Sequence, residues 1–264
     1  KNIFILAVSA LFIVSIISII SYDRINSFDI SRSLKLMSVD FTSKQIKTMV
    51  DYVNRNREGF NQMREFEIEE NITPSNSFNL PYSQNVNYDF QFQIIKTELP
   101  KHDYEIAYLS IQELAYLIKN KILSSERLTR IYIDRIKQFD KKLNSVVNLM
   151  EEVAIEQAIR ADNEIERGIY RGILHGIPYG IKDIASYPNY PTTWGTEPYK
   201  DRIINEKAEV IKKLENAGAV MIAKLSSGSL ARGDTWYNGT TKNPWDLNQG
   251  SSGSSAGSAS AVPG

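Results

Sequence analysis

Three hydrophobic patterns succeed one another along the chain. Residues 3 to 20, IFILAVSALFIVSIISII, are 18 positions without a charge. That length is just enough to cross the hydrocarbon core of a bilayer. Lys1 precedes the run, and Asp23 and Arg24 follow it. An uncleaved anchor fits best, because SIISYDR is a poor cleavage site; a cleaved signal and a buried core helix are the other readings. From residue 23 to 75 the period becomes helical. Met49, Val50 and Val53 form an apolar stripe. Thr42 and Gln45 have capping-box spacing, and Phe41 and Ile46 are placed to staple the helix start. Residues 76 to 104 read as an extended connector, within a stretch rich in Asn, Ser and Pro.

From residue 105 onward helices and strands alternate. Ser110 and Glu113 predict a second capped helix, with Leu109 and Leu114 as its staple. A third follows, with Leu128, Ile131, Ile136 and Phe139 on one face. SVVNLM (145–150) is a strand candidate, and a helix is expected from Glu151 to Arg167. GILHGIPYGIKD (172–183) is strand-like. EKAEVIKKLENAG (206–218) is a helix that Gly218 can end in the left-handed conformation. AVMIA (219–223) is a short apolar strand. The alternation predicts an α/β fold with a sheet covered by helices on both faces and a helical N-terminal extension.

Composition narrows the chemistry. The 31 basic and 31 acidic residues cancel, so no basic field calls for nucleic acid. There are no cysteines and two histidines, His102 and His175, among 264 residues. A cysteine nucleophile is excluded, structural zinc lacks its usual ligands, and any hydrolytic base is worth seeking outside histidine.

Lys182 ends an apolar segment with Ile177, Tyr179 and Ile181. It can snorkel from the strand end or pair with Asp183. A desolvated lysine has a second use: burial penalises the ammonium, frees the lone pair and makes a general base. A Schiff-base lysine is also open. His175, in an apolar setting without an obvious orienting carboxylate, reads as a satisfied core residue. Residues 248–264, NQGSSGSSAGSASAVPG, have the composition of a linker. The preceding NPWDL, and SASAV near its end, do not fit a linker. A Gly/Ser loop opening a small-residue helix presents N–H groups and hydroxyls to a ligand. Walker and GxGxxG patterns are absent.

Together, GIPYGIKD, GAVMIAKLSSGSLA, NPWDL and GSSAGS resemble the amidase signature family in order and spacing, over about residues 105 to 264. The segment VDFTSKQIKTMVDYVNRNREGFNQMR also resembles the helical extension of some bacterial amidases. The resemblance implies that the sheet is mixed, and it implies amide C–N hydrolysis by a Ser–cis-Ser–Lys triad, with a small-molecule amide as substrate and neither cofactor nor metal. Its lysine falls on Lys182. Its bridging serine falls on Ser254, with Ser251 as the alternative register. Ser255 would hydrogen-bond into the network, and a backbone contact to substrate falls near Ala231. The family's nucleophile lies in a later Gly-Gly-Ser segment, about two dozen residues beyond the bridging serine. The expectation is therefore a fragment, inactive and poorly stable alone, of a membrane-anchored or exported protein of the bacterial cell envelope. An amidotransferase A-type subunit is the alternative within the family, and a non-catalytic truncated membrane-tethered protein the alternative outside it. Tyr187, Tyr190, Trp194, Trp236 and Tyr237 can line a pocket or pack a core.

Overall fold

The computed structural model describes residues 24–68, 72 and 93–263. The apolar run at 3–20 and most of the connector at 76–104 lie outside the described residues. Among the described residues no helix is long and apolar enough to cross a membrane. The chain divides into two units, 1–86 and 87–264.

The first unit contributes helices α1 (Ser27–Leu36) and α2 (Ser43–Arg64). The helical region is interrupted at 37–42, where Ser38 takes a φ of 55°, and the second helix starts at the expected Thr42 box. Both helices begin with a capping box. Asn26 accepts from the amides of Phe28 and Asp29, and the Asp29 carboxylate accepts from Asn26 N. Thr42 Oγ1 accepts from Gln45 N at 3.3 Å, and Gln45 Oε1 accepts from Thr42 N at 2.8 Å. Such caps satisfy amides that the first helical turn leaves without partners. α1 packs on α2. Met49, Val50 and Val53 are half-buried, while Phe41 stays exposed.

The second unit opens with the short helix α3 (Asp103–Ile106), then α4 (Ile111–Lys119) and α5 (Ser125–Leu143). Ser110 and Glu113 close the expected box on α4, and the staple partner Leu114 is buried. α5 is capped from a distance: the Asp162 carboxylate accepts from Ser125 N at 2.7 Å and Glu126 N at 3.0 Å. A carboxylate there satisfies free amides and favours the positive end of the helix dipole. α5 ends at Asn144 in the left-handed region, φ 53°. Asp140 then accepts from Ser145 N, Ser145 Oγ and Val146 N, turning the chain into β1 (Val146–Leu149).

Helix α6 (Glu151–Glu166) leads to β2 (Pro178–Lys182), and α7 (Glu209–Asn216) leads to β3 (Val220–Leu225). The sheet order is β1-β3-β2, with β1 antiparallel and β2 parallel to the central β3. The expected strand over 172–183 is shorter than its apolar pattern. Residues 172–177 form turns, with Gly172 and Gly176 at φ 134° and 81°, so pairing starts only at Pro178. Gly218 does end α7's segment at φ 82°.

β3 is buried along its whole length. Val220 and Ile222 pack with Ile133 of α5 and Ala154 and Ala158 of α6. Met221 packs with Ile211 of α7 and Met150. Helices therefore cover both faces of a mixed sheet, and the C-terminal ends of β2 and β3 converge on residues 182–183 and 225–228. After β3 come two small hairpins, β4–β5 (Thr235–Trp236, Gly239–Thr240) and β6–β7 (Lys242–Asn243, Asp246–Gly250). The hydrophobic pattern did not announce them, because three of the four strands are two residues long and the fourth, DLNQG, has no apolar alternation. The last element is α8 (Ala256–Ala261), which contacts β2 and β3.

Candidate active site

Lys182 is the last residue of β2, in register with Leu225 of β3. It is half-buried, and its Nζ donates to Ser254 Oγ at 2.7 Å. Burial pushes the Lys182 ammonium below its ordinary value of 10.5, because the charged form loses hydration. Among the described residues no carboxylate offsets this. Asp183, its sequence neighbour, is engaged elsewhere.

Ser254 sits in a loop that replaces side chains with close backbone contact. The Gly253–Ser254 peptide bond is cis. A Cβ on Gly253 would lie 1.8 Å from the carbonyl oxygen of Gly233. One on Gly257 would lie 2.4 Å from both Ser145 O and Ser226 N. Any side chain at either position would push backbone against backbone. Hydrogen bonds hold the loop along its length. Ser251 N donates to Thr241 O, Ser252 N to Asp234 Oδ2, Gly228 N to Ser254 O, and Gly257 N to Ser226 O. The Gly/Ser composition that resembles a linker thus belongs to a loop packed on residues 226–234.

The other singled-out residues fall around this contact. The Ser251 hydroxyl donates to the carbonyls of Ser252 and Ala256. Ser255 is exposed and precedes α8; among the described residues no hydrogen bond joins its side chain to Lys182 or Ser254. Ala231 is exposed at φ 61° beside Leu230 at φ 49°, and its amide donates to Gly228 O at 2.8 Å. Gly228 is thereby shared between the Ala231 turn and Ser254. The aromatic residues divide. Tyr187 and Tyr190 stack edge to face and pack on the Met221 cluster, and Trp236 is buried. Trp194 remains 36% exposed, with its ring under the Arg202 guanidinium at 4.1 Å.

Sequence reasoning missed a second lysine. Lys224, on the central strand, is fully buried, and its Nζ lies 2.7 Å from Asp183 Oδ1, also fully buried. Lys224 further donates to Thr192 Oγ1 at 2.8 Å and to the Pro191 carbonyl. Asp183 Oδ2 accepts from the amide of Thr193 at 3.0 Å and from its hydroxyl. Burial lowers the Lys224 pKa against the raising influence of Asp183. The reading of Lys182 as paired with Asp183 is thus not what the fold provides. The signal was present: a lysine in AVMIAKL interrupts an apolar strand as Lys182 does.

His175 is a core residue, as its setting suggests, and α6 supplies the carboxylate missing from its neighbourhood in sequence. Its Nδ1 accepts from Arg171 N at 3.1 Å, and its Nε2 lies 3.1 Å from Glu164 Oε2. Burial lowers its pKa. Among the described residues no group of three or more His, Cys, Asp or Glu side chains is placed to hold a metal.

Comparison with known proteins bears on the same region. Residues 127–263, just over half the chain, match a family model described as Amidase. The glutamyl-tRNA(Gln) amidotransferase A-type subunit of Caldanaerobacter subterraneus subsp. tengcongensis is 37% identical over 161 residues, 60% of this chain and 33% of that protein. The native peptide amidase from Stenotrophomonas maltophilia superposes with a TM-score of 0.57 at 30% identity, over 60% of this chain and 34% of that one. A fatty acid amide hydrolase superposes with a TM-score of 0.57 at 29% identity, over 62% of this chain and 31% of its own. The chain spans about a third of the length of the curated relatives it matches.

Proposed function

The chain belongs to the amidase family, and from that premise we propose that the full-length protein hydrolyses a carboxylic amide C–N bond, with Lys182 and Ser254 as its proton relay. The observation that carries this reading is the 2.7 Å contact between Lys182 Nζ and Ser254 Oγ. With the amine neutral, the contact reverses: the Ser254 hydroxyl donates to the lysine lone pair. Ser254 can then accept the proton of an attacking serine as it passes its own to Lys182. The attacking oxygen bonds to the amide carbon. The protonated lysine returns its proton through Ser254 to the leaving nitrogen as the C–N bond breaks, and water, deprotonated through the same relay, then adds to the acyl carbon and releases the serine. In this reading the attacking serine belongs to a segment that follows residue 264 in the family. Ala231 meets substrate through its backbone, and Ser255 lies at the edge of the site. The apolar run at 3–20 anchors the protein in the cell envelope or directs its export.

The relatives named as amidotransferase subunits support a second reading within the same chemistry. There the released nitrogen passes to an acceptor, and the protein works with a partner subunit. Treatment of the full-length protein with a serine-reactive fluorophosphonate tests both readings. Labelling by the wild type, lost in Lys182→Ala, is the expected result; an intact wild type that stays unlabelled overturns the serine relay. Labelling only in the presence of a co-purifying partner subunit favours the amidotransferase.

A further inference from the structure

We propose that the buried Lys224–Asp183 pair is a positioning device that sets the separation of Lys182 and Ser254. The inference rests on the relay reading above. Both side chains are fully buried, 2.7 Å apart. Each also holds the loop that follows β2. Lys224 binds Pro191 and Thr192, and Asp183 binds Thr193 through two donors. Thr192 and Thr193 are themselves fully buried.

The loop connects the pair to both ends of the relay. On the lysine side, Asp183 adjoins Lys182, and its backbone is pinned by two bonds, Asp183 N to Leu225 O and Trp194 N to Asp183 O. On the serine side, Thr193 Oγ1 accepts from Gly195 N. Gly195 presses on the next segment so closely that a Cβ there would lie 2.0 Å from Ser227 O. Leu230 N donates to Trp194 O, and Gly228 N donates to Ser254 O. One buried charge pair thus braces a continuous path from Lys182 to Ser254. Stability alone is a poor reason for such a pair. Well-packed apolar groups of similar volume are often equally stable or more so, whereas ion pairs can fix one arrangement.

The test uses the full-length protein and saturable labelling by a fluorophosphonate, separating the limiting rate kinact from the binding constant KI. Lys224→Met leaves Asp183 buried and unpaired, so the informative variant is the double Lys224→Met/Asp183→Asn. The expected result is a kinact reduced about 10²-fold, as small displacements of reacting groups cost. KI is unchanged, and the melting temperature stays within about 4 °C of wild type. A wild-type kinact in that folded variant overturns the proposal. If the double variant does not fold, Thr193→Val decides, since it removes the Asp183 contacts to one hydroxyl while keeping the charges. A lower kinact at unchanged KI supports the proposal, and a wild-type kinact overturns it. Lys182→Met separates the two claims. If it labels at the wild-type rate, the relay reading fails, and this inference with it. If it does not label while the double variant keeps a wild-type kinact, only the positioning role fails.

Discussion

Lys182 Nζ and Ser254 Oγ meet at 2.7 Å across 72 residues of sequence. β2 delivers the lysine, and a glycine-rich loop packed on residues 226–234 delivers the serine. Their contact has consequences for chemistry, protonation and folding that separate experiments can read.

Removal of the amine is the first. In the full-length protein, Lys182→Ala is expected to lower amide turnover by about 10²–10⁴-fold, the usual contribution of a positioned general base. The melting temperature should change little, since the side chain is half-buried and makes one hydrogen bond. Steady-state kinetics and a thermal melt measure the two effects. Unchanged turnover would falsify the base assignment.

Protonation gives the second. The proposed relay needs the neutral amine, and burial lowers the Lys182 pKa from its ordinary value of 10.5. Activity should therefore rise with pH along an acid limb whose midpoint lies below 10.5. Competitive acylation of lysines across a pH series, read by peptide mass spectrometry, measures the same group directly. A Lys182 that titrates like the exposed lysines of the same chain contradicts the prediction.

Packing of the serine loop gives the third. Gly257→Ala introduces a Cβ about which Ser145 O and Ser226 N leave no room, each at 2.4 Å. Both are backbone atoms and cannot rotate away. A loss of about 1–3 kcal/mol is expected from overpacking, measured by denaturant unfolding. Stability equal to wild type would show that the loop yields.

Acid sensitivity gives the fourth. The His175 pKa is lowered by burial from 6.5, so the unfolded chain takes up the proton first as pH falls. Its contribution to stability is complete above pH 6.5 and is lost as pH falls through the folded-state value. Glu164, lowered from 4.5 by its hydrogen bond to Arg171, adds a loss of the same sign below pH 4.5. Unfolding free energy should fall between neutral and mildly acidic pH. His175→Gln should lack that upper segment while retaining the lower one. Identical slopes in the two proteins would rule out His175 as the source.

Local chemistry was legible where a few neighbouring residues decide the outcome. The boxes at Thr42–Gln45 and Ser110–Glu113 form as their spacing predicts. Gly218 ends a helix with a positive φ, and AVMIA lies within a strand buried throughout. The resemblance in GIPYGIKD and GSSAGS also identified the two residues that meet. By contrast, the apolar residues of 172–177 suggested a strand but fold as turns, since two glycines there take positive φ. The hairpins over 235–250 left no trace in the pattern.

The partnerships of charge were decided only in three dimensions. In sequence, Asp183 stands next to Lys182 and 41 positions from Lys224; in the fold it pairs with Lys224. Glu164 lies on α6, yet its carboxylate meets His175, in the turn before β2, at 3.1 Å. Capping and helix termination depend on dihedral angles within a turn of chain, and composition records them directly. Which buried charge finds which partner depends on strand register and on the crossing of loops, because an ion pair acts over a few ångströms of space, whatever the length of chain between its members. The sequence by itself determined most of the helices and the central strands and pointed to the family, and it singled out Lys182 and Ser254. The tertiary structure determined that Lys182 faces a hydroxyl and not a carboxylate, and an amine without a counter-ion in a half-buried site gives up its proton more readily.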